Sequence, residues 1–439
     1  MPGVARKLAI AVAPNEDGLG TSAWAVRIVK ELLRKDGDGV GRIQVVVASK
    51  RLAEFHADKY PAAPVEVLRL EGISDPIRLV KTVGGVDVEA TLETAVVMYG
   101  GSRRAYREAL NAQRVLERAD VVVDLGVPQL VRAVWEENRR RQARGQRPIA
   151  AVTVLDHRWS RTLSEMAERE GLLREDVQRA LALMREDEAL TPEVLLLPEP
   201  VTPTGYQAHW REVAVRRLPG VLGGPRWAQQ WAGRDSRRTL RRLLGIEDEL
   251  PVLHVSGGGT SVWDTVLAGL LDDYAARPPR YHVAVFSPAE ARRRGVSLQW
   301  RRQAGREVQC GRLPSAPRVI FLGGLAGETH HVLFAGLDLV LSRAGGGTVN
   351  DAIAFRVPLV LVEEARHCQV EQIRQACLRM GICRTAELRE LGAGARKLVE
   401  GPGGDLLALE QERRAMEQVP NHAEAWLADY LLKRAQQGG

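Results

Sequence analysis

Short runs of aliphatic residues alternate along the 439-residue chain with stretches whose apolar positions recur every three or four residues. The first kind predicts strands buried on both faces of a parallel sheet, the second helices that cover it. The order is clearest toward the C-terminal end. There, residues 337–341 predict a strand, Gly345, Gly346 and Gly347 a turn, 348–355 a helix, and 358–362 a second buried strand. Strand, glycine turn, helix and strand make a βαβ unit, so the fold class is α/β.

The same device recurs along the chain. Residues 7–13 predict the first strand, Gly18-Leu19-Gly20 its turn, and 23–33 an amphipathic helix carrying Trp24, Ile28 and Leu32 at helical spacing. Further strands are expected at 42–48, 65–70, 95–99, 119–125, 148–155 and 194–197, and after a Pro- and Gly-dense hinge (LPGVLGGP, 218–225) at 251–255, 281–286 and 319–322. Two domains follow, 1–219 and 220–418, and residues 419–439 add an amphipathic helix.

Several of these turns have the makings of a binding site. Glycine lets the backbone approach a ligand closely, and the amides opening the next helix suit a phosphate or a ribose. After Gly345–Gly347, Thr348 adds a hydroxyl, and Asp351 falls in the expected first turn, where a carboxylate is stabilised and can accept hydrogen bonds from sugar hydroxyls. Ser256-Gly257-Gly258-Gly259-Thr260 ends another strand with converging backbone donors and small hydroxyl side chains. Gly100-Gly101-Ser102-Arg103-Arg104 reads either as a surface turn with two solvated arginines or as an anion contact. The strand over 148–155 runs directly into Asp156-His157-Arg158, at the carboxyl end where open α/β sheets place their ligands. A carboxylate beside an imidazole there can deprotonate a hydroxyl, or simply cap the next helix. His282 is expected to pack within a strand, and His330 and His331 to lie on a helix surface.

Composition narrows the class. At 45% hydrophobic residues the chain can bury two cores, and no apolar run reaches the roughly 18 residues that a membrane span needs. The opening apolar stretch is short and runs into Glu16 and Asp17, which fits a first strand better than a signal peptide. Cys310, Cys368, Cys377 and Cys383 show no CxxC spacing, as expected of free thiols in a reducing cytoplasm, and no zinc site is expected. The net charge of +7 invites nucleic acid, but it comes from 54 arginines, against 8 lysines, that interleave with acids. The stretch 161–190 is typical and predicts a solvated, salt-bridged helix face rather than a nucleic-acid surface. A basic face resting on an anionic bilayer stays open.

The segment SRAGGGTVNDAIAFRVPLVLV, followed by HCQVEQ, resembles the donor-binding half of the family 28 and MurG-like glycosyltransferases, relatives of the UDP-glycosyltransferases. The likeness is strong over 251–381 and weak before 219. It implies a GT-B arrangement, two Rossmann-like domains facing across a cleft with the last helix, 419–439, packing back on the first, and transfer of a hexosyl or N-acetylhexosaminyl group from a nucleotide sugar, UDP-linked, to an unidentified acceptor. By resemblance Asp351 holds the ribose, the Ser256–Thr260 turn meets the diphosphate with help from Arg343, and the loop that Gly323 and Gly324 open after the strand 319–322 meets the uracil through main-chain groups near Ala326 and Gly327. His367, Gln369 and Gln372 contact the donor sugar, and Gly18, Gly20, Thr21 and Ser22 face the acceptor or diphosphate. The chain departs from the pattern in three places. Thr21 and Ser22 stand where relatives carry a His, His367 where they carry Asp, and Gln372 where they carry Asn. With that His absent, Asp156 or His157 is the expected base. No metal or cofactor is implied; a cytoplasmic enzyme at the inner membrane face, with a lipid-linked acceptor, fits the resemblance. A nucleotide-sugar hydrolase or epimerase, or a non-catalytic nucleotide-sugar-binding subunit, are the alternatives.

Overall fold

The computed structural model describes residues 7–15, 19–35, 40–60, 64–73, 77, 79–82, 85–155, 158–223, 234–256, 262–303, 305–326, 329–363, 368–386 and 409–437. It divides into two units, one comprising 1–80, 86–221 and 422–439, the other 81–85 and 222–421.

The first unit is built on seven strands: β1 (Leu8–Pro14), β2 (Val40–Val47), β3 (Val65–Arg69), β4 (Val121–Leu125), β5 (Ala150–Leu155), β6 (Glu193–Leu196) and β7 (Ala214–Arg217). They lie in the order β3-β2-β1-β4-β5-β6-β7, and each neighbouring pair is parallel. The order reverses between β1 and β4. Val121, Val122, Val123 and Leu125 are all at most 1% exposed, as expected of a strand covered on both faces. The last helix, Ala423–Gln437, belongs to this unit and lies on the helix Leu19–Lys35. Lys35 Nζ donates to the carbonyl of Ala425 at 2.7 Å and pairs with Asp429, while Tyr430 donates to Glu193. Leu427 and Leu431 are fully buried beneath it.

Two expectations for this unit need correction. Residues 95–99 are not a strand: Asp87 caps a helix, Val88–Val97, by accepting from the Ala90 amide at 3.0 Å, and a π-turn, Met98–Ser102, carries it into the helix Arg103–Ala112. A short apolar run has no periodicity to separate strand from buried helix, and here the cap decides. The glycine pair Gly100-Gly101 therefore joins two helices, and Arg103 pairs with Asp187 rather than waiting for an anion. The charged stretch 161–190 is not wholly solvated either. Asp187 and Glu188, at 0% and 4% exposure, turn inward. Asp187 takes both Arg103 and Arg132, and Glu188 takes Arg158 at 2.9 Å.

The second unit has eight strands: β8 (Val252–Ser256), β9 (His282–Phe286), β10 (Gln299–Gln303), β11 (Arg306–Leu313), β12 (Ala316–Ala326), β13 (Leu339–Arg343), β14 (Leu359–Val362) and β15 (Cys383–Ala386). Their order is β10-β11-β12-β9-β8-β13-β14-β15. The strands from β12 to β15 are parallel, and β10 and β11 extend the sheet as an antiparallel ribbon. That ribbon was not visible in the sequence. Its partner β12 continues through Gly323 and Gly324, expected to open a loop, because the glycines make room for the ribbon. A Cβ on Gly323 would meet Gln309 Oε1 and Leu298 Cδ1 at 2.6 Å, and one on Gly324 would meet the Trp300 ring at 3.1 Å. The core of this unit packs Val283, Val285, Phe321, Leu339, Leu341 and Val360 under Leu271 and Tyr274. Each such side chain contributes about 1.5–3 kcal/mol by leaving water. Among the described residues no helix is long and apolar enough to cross a membrane.

Candidate active site

In the second unit the strand order reverses between β8 and β13, where Ser256, the last residue of β8, stands opposite Ser342. Loops leaving the carboxyl ends on either side of such a reversal diverge and leave a crevice. β13 ends in Arg343, 7% exposed, and passes through Ala344 and Gly345 into the helix Gly346–Phe355. Gly345 has φ −73°, which any residue adopts, so it is not there to relieve strain. Among the described residues a Cβ built on it would touch nothing within 4 Å, so on that side the glycine leaves the space before the helix open. Gly346, Gly347 and Thr348 open the helix and are half-buried, with no side chain among the described residues capping the N-terminus. Their amides are the donors that an intrahelical ladder leaves unmet.

Asp351 is not in the first turn. The helix starts two residues earlier than its apolar pattern indicates, which moves Asp351 into the second turn and beyond the strongest effect of the helix dipole. A different contact holds it. Asp351 is 5% exposed, and its Oδ2 lies 2.8 Å from Nε2 of His330, whose side chain is 40% exposed. His330 opens the helix Thr329–Gly336 and leans on Phe334, with ring centroids 5.0 Å apart. It is therefore the reachable face of a carboxylate–imidazole pair, not a bystander on a helix surface. Its neighbour His331, also expected on the surface, is 8% exposed and packs on Phe355. Beneath them His254 is enclosed; burial pushes its imidazole down to about 4, and its Nδ1 lies 2.9 Å from the Ala284 carbonyl. It is neutral at any pH near 7. His282 packs within β9 as expected, 2.7 Å from Asp248.

Asn350, beside Asp351, is fully buried and clamps the backbone where the second unit begins. Its Oδ1 accepts from the Leu222 amide at 2.9 Å and its Nδ2 donates to the Leu222 carbonyl at 2.5 Å. Asn350→Ala would strand both groups, at about 2 kcal/mol. The Leu222 amide should then exchange with solvent about thirtyfold faster; an unchanged rate would show that the clamp holds nothing.

The other candidates divide sharply. Gln369 and Gln372 lie half-buried near the start of the helix Cys368–Arg379, which follows β14, the neighbour of β13; three residues apart, they share a helix face. Ala326 is the last residue of β12, opposite Glu307 on β11, so the expected base-recognition loop is in part a paired strand. In the first unit Gly20, Thr21 and Ser22 form the first turn of a helix rather than a loop. Thr21 Oγ1 donates to the Asn15 carbonyl at 3.0 Å, and Ser22 is fully buried. Asp156, His157, Gly18, Gly257, Gly258, Gly259, Thr260, Gly327 and His367 lie outside the described residues; Ser256 is described in its backbone alone.

At the reversal point of the first unit, Asp124 is the last residue but one of β4. Its Oδ1 accepts from the amides of Gly126 at 3.1 Å and Val127 at 2.6 Å. Burial nevertheless raises its carboxyl from 3.8 to about 6, against those hydrogen bonds and one from Thr153, with the charge of Glu188 adding to the rise. A folded value above the unfolded one means that the proton favours the fold. That stability is complete below about pH 4 and lost as the pH climbs through 6. Asp124→Asn keeps the Oδ1 acceptor without the charge. From pH 4 to 7 the wild type should lose about 2 kcal/mol of stability relative to this variant; parallel curves would mean that Asp124 stays ionised when folded.

No family model matches the chain, and no curated relative matches it. Solved structures do. A UDP-glucose:anthocyanidin 3-O-glucosyltransferase in complex with UDP aligns at a TM-score of 0.59 and 10% identity, over 99% of this chain and 100% of that one. A UDP-glucosyltransferase from Polygonum tinctorium capable of glucosylating indoxyl aligns at 0.57 and 14%, over 99% and 100%. CalG4, the calicheamicin glycosyltransferase, aligns at 0.56 and 17%, over 98% and 97%. Identities this low speak to the fold alone, and the fold is GT-B, two Rossmann-like units built on mostly parallel sheets.

Proposed function

We propose that this protein is a glycosyltransferase that moves a hexosyl or N-acetylhexosaminyl group from a UDP-linked sugar to a hydroxyl held by the first unit. The observation that carries this is the meeting, at the reversal point of the second sheet, of an open glycine turn and helix N-terminus with the His330–Asp351 pair. The helix amides would meet the diphosphate, whose negative charge grows as it leaves. The pair would meet the ribose, Asp351 as acceptor and the imidazole of His330 through its second nitrogen. Gln369 and Gln372 are the sugar contacts in this scheme. In the transfer, the acceptor oxygen bonds to the anomeric carbon and the bond from that carbon to the diphosphate oxygen breaks. UDP departs with the electron pair, and the hydroxyl proton passes to a base, for which Asp156 and His157 are the candidates.

The test is product analysis. The protein is incubated with UDP-glucose or UDP-N-acetylglucosamine and a panel of hydroxylated acceptors, with and without chelator, and products are weighed by mass spectrometry. A mass gain of one sugar on an acceptor, unaffected by chelator, is expected. Free sugar alone would make the protein a hydrolase, a rearranged donor an epimerase, and donor binding without turnover a nucleotide-sugar-binding subunit.

A further inference from the structure

β14 ends at Val362, which stands opposite Arg343, the last residue of β13. One step farther each chain leaves its strand: β13 turns through Ala344 and Gly345 into the helix Gly346–Phe355, and β14 passes to Glu363. Neighbouring strands lie about 5 Å apart, so Glu363 leaves the sheet beside the open glycine turn, at the carboxyl end where such sheets bind ligands. Its side chain is 57% exposed, yet it is not left to wander. Glu363 Oε1 lies 3.1 Å from Nη1 of Arg374, a residue only 5% exposed on the helix Cys368–Arg379. Arg374 is itself fixed, because its Nε and Nη2 donate to the two oxygens of Glu371 at 2.8 and 2.6 Å. A buried guanidinium fork thus anchors one oxygen of an exposed carboxylate. Among the described residues Arg374 is the one partner of Glu363, and its Oε2 is open to a donor from outside.

We propose that Glu363 touches the sugar of the nucleotide-sugar donor, accepting from two neighbouring hydroxyls, and that it restricts the donor to neutral hexoses and refuses hexuronic acids. This rests on the transferase reading, in which the helix amides after Gly345 hold the diphosphate; the sugar bonded to that diphosphate then comes within reach of the neighbouring strand end. A carboxylate offers about four lone pairs, of which Arg374 uses one, and hydroxyls that donate to the rest make charge-assisted bonds. A uronate would bring a third acid to a place where Glu363 and Glu371 already share one guanidinium. Arg343, buried at the end of β13, is taken by the diphosphate in the same reading. No described cation is then left over for a carboxylate on the sugar.

The experiment titrates UDP, UDP-glucose and UDP-glucuronate calorimetrically at pH 7, without acceptor or metal; the two sugars differ at C6 alone. The wild type should bind UDP-glucose about tenfold tighter than UDP, and UDP-glucuronate no tighter than UDP. Glu363→Ala should leave UDP within about twofold, erase the glucose advantage and bring the two sugar nucleotides within about threefold of each other. Glu363→Gln, which keeps an acceptor without the charge, should recover part of the glucose affinity and admit the uronate. Arg374→Lys keeps a cation but not the fork, and should cut the glucose advantage about threefold with UDP unchanged, a split that a merely structural arginine would not produce. Each variant is first checked for an unchanged melting temperature, and the two Glu363 variants decide alone if Arg374→Lys unfolds. A wild type without the glucose advantage, an advantage that survives Glu363→Ala, or a uronate bound as tightly as glucose would overturn the assignment, while UDP binding in the same samples keeps the transferase reading. No UDP bound by the wild type removes both.

Discussion

Asp351→Ala is expected to weaken UDP binding about a hundredfold, roughly 2.8 kcal/mol, in calorimetric titrations without metal, with GDP and dTDP as comparisons. A buried carboxylate that accepts from ribose hydroxyls makes charge-assisted bonds of about 1.5–3 kcal/mol each. The same substitution releases His330, now 2.8 Å away, from the geometry in which it faces solvent. His330→Ala separates the two contributions. If Asp351 meets the ribose itself, removing the imidazole costs less than removing the acid. If Asp351 only positions His330, the two variants lose equally and the double variant loses no more than either, because residues acting as a unit are not additive. Less than a tenfold loss for Asp351→Ala, or no nucleotide bound by the wild type, would return the glycine turn to a structural role.

What was legible in the sequence follows from range. The unit from Leu339 to Val362 could be read because every cue in it is local: two buried runs, a glycine turn, and a helix between them. His330 could not be read. It stands 21 residues before Asp351 on a different helix, and only the tertiary packing of the helices Thr329–Gly336 and Gly346–Phe355 brings them together. A polar residue opening a helix carries no mark of its partner. Gly323 and Gly324 misled for the opposite reason. Glycines next to a strand usually end it, yet here they let a strand continue under Gln309 and Trp300, a demand set by a ribbon that the sequence does not announce. The start of the helix after Gly345 was misplaced by two residues because Gly346 and Gly347 have poor helix propensity, and position next to β13 overrides it.

Glu188→Ala should cost the first unit about 3–5 kcal/mol, although its neighbours in sequence look like a solvated face. Glu188 is enclosed and serves two groups: it accepts from the Ser160 amide at 3.0 Å and from the Ser160 hydroxyl, and it pairs with Arg158. Arg158 is itself nearly buried, with its guanidinium 4.9 Å from the Trp210 ring and one nitrogen donating to the His209 carbonyl at 2.6 Å. Without the acid, a cation stays in a low-dielectric place that it cannot leave without breaking those contacts. Glu188→Gln keeps an acceptor for Ser160 but not the charge, and should cost about half as much. The control lies on the same helix. Glu175 pairs with Arg179 at 2.7 Å in the arrangement a sequence would predict, but both side chains are more than two-thirds exposed, and Glu175→Ala should change stability by less than about 0.5 kcal/mol. Native-state hydrogen exchange reports each unit on its own, with Val123 and Val154 for the first and Leu341 for the second. Faster exchange at all three sites would mean global unfolding. Faster exchange at the first two alone is the expected result, and equal small effects of Glu188→Ala and Glu175→Ala would show that the inward acid contributes no more than a surface pair.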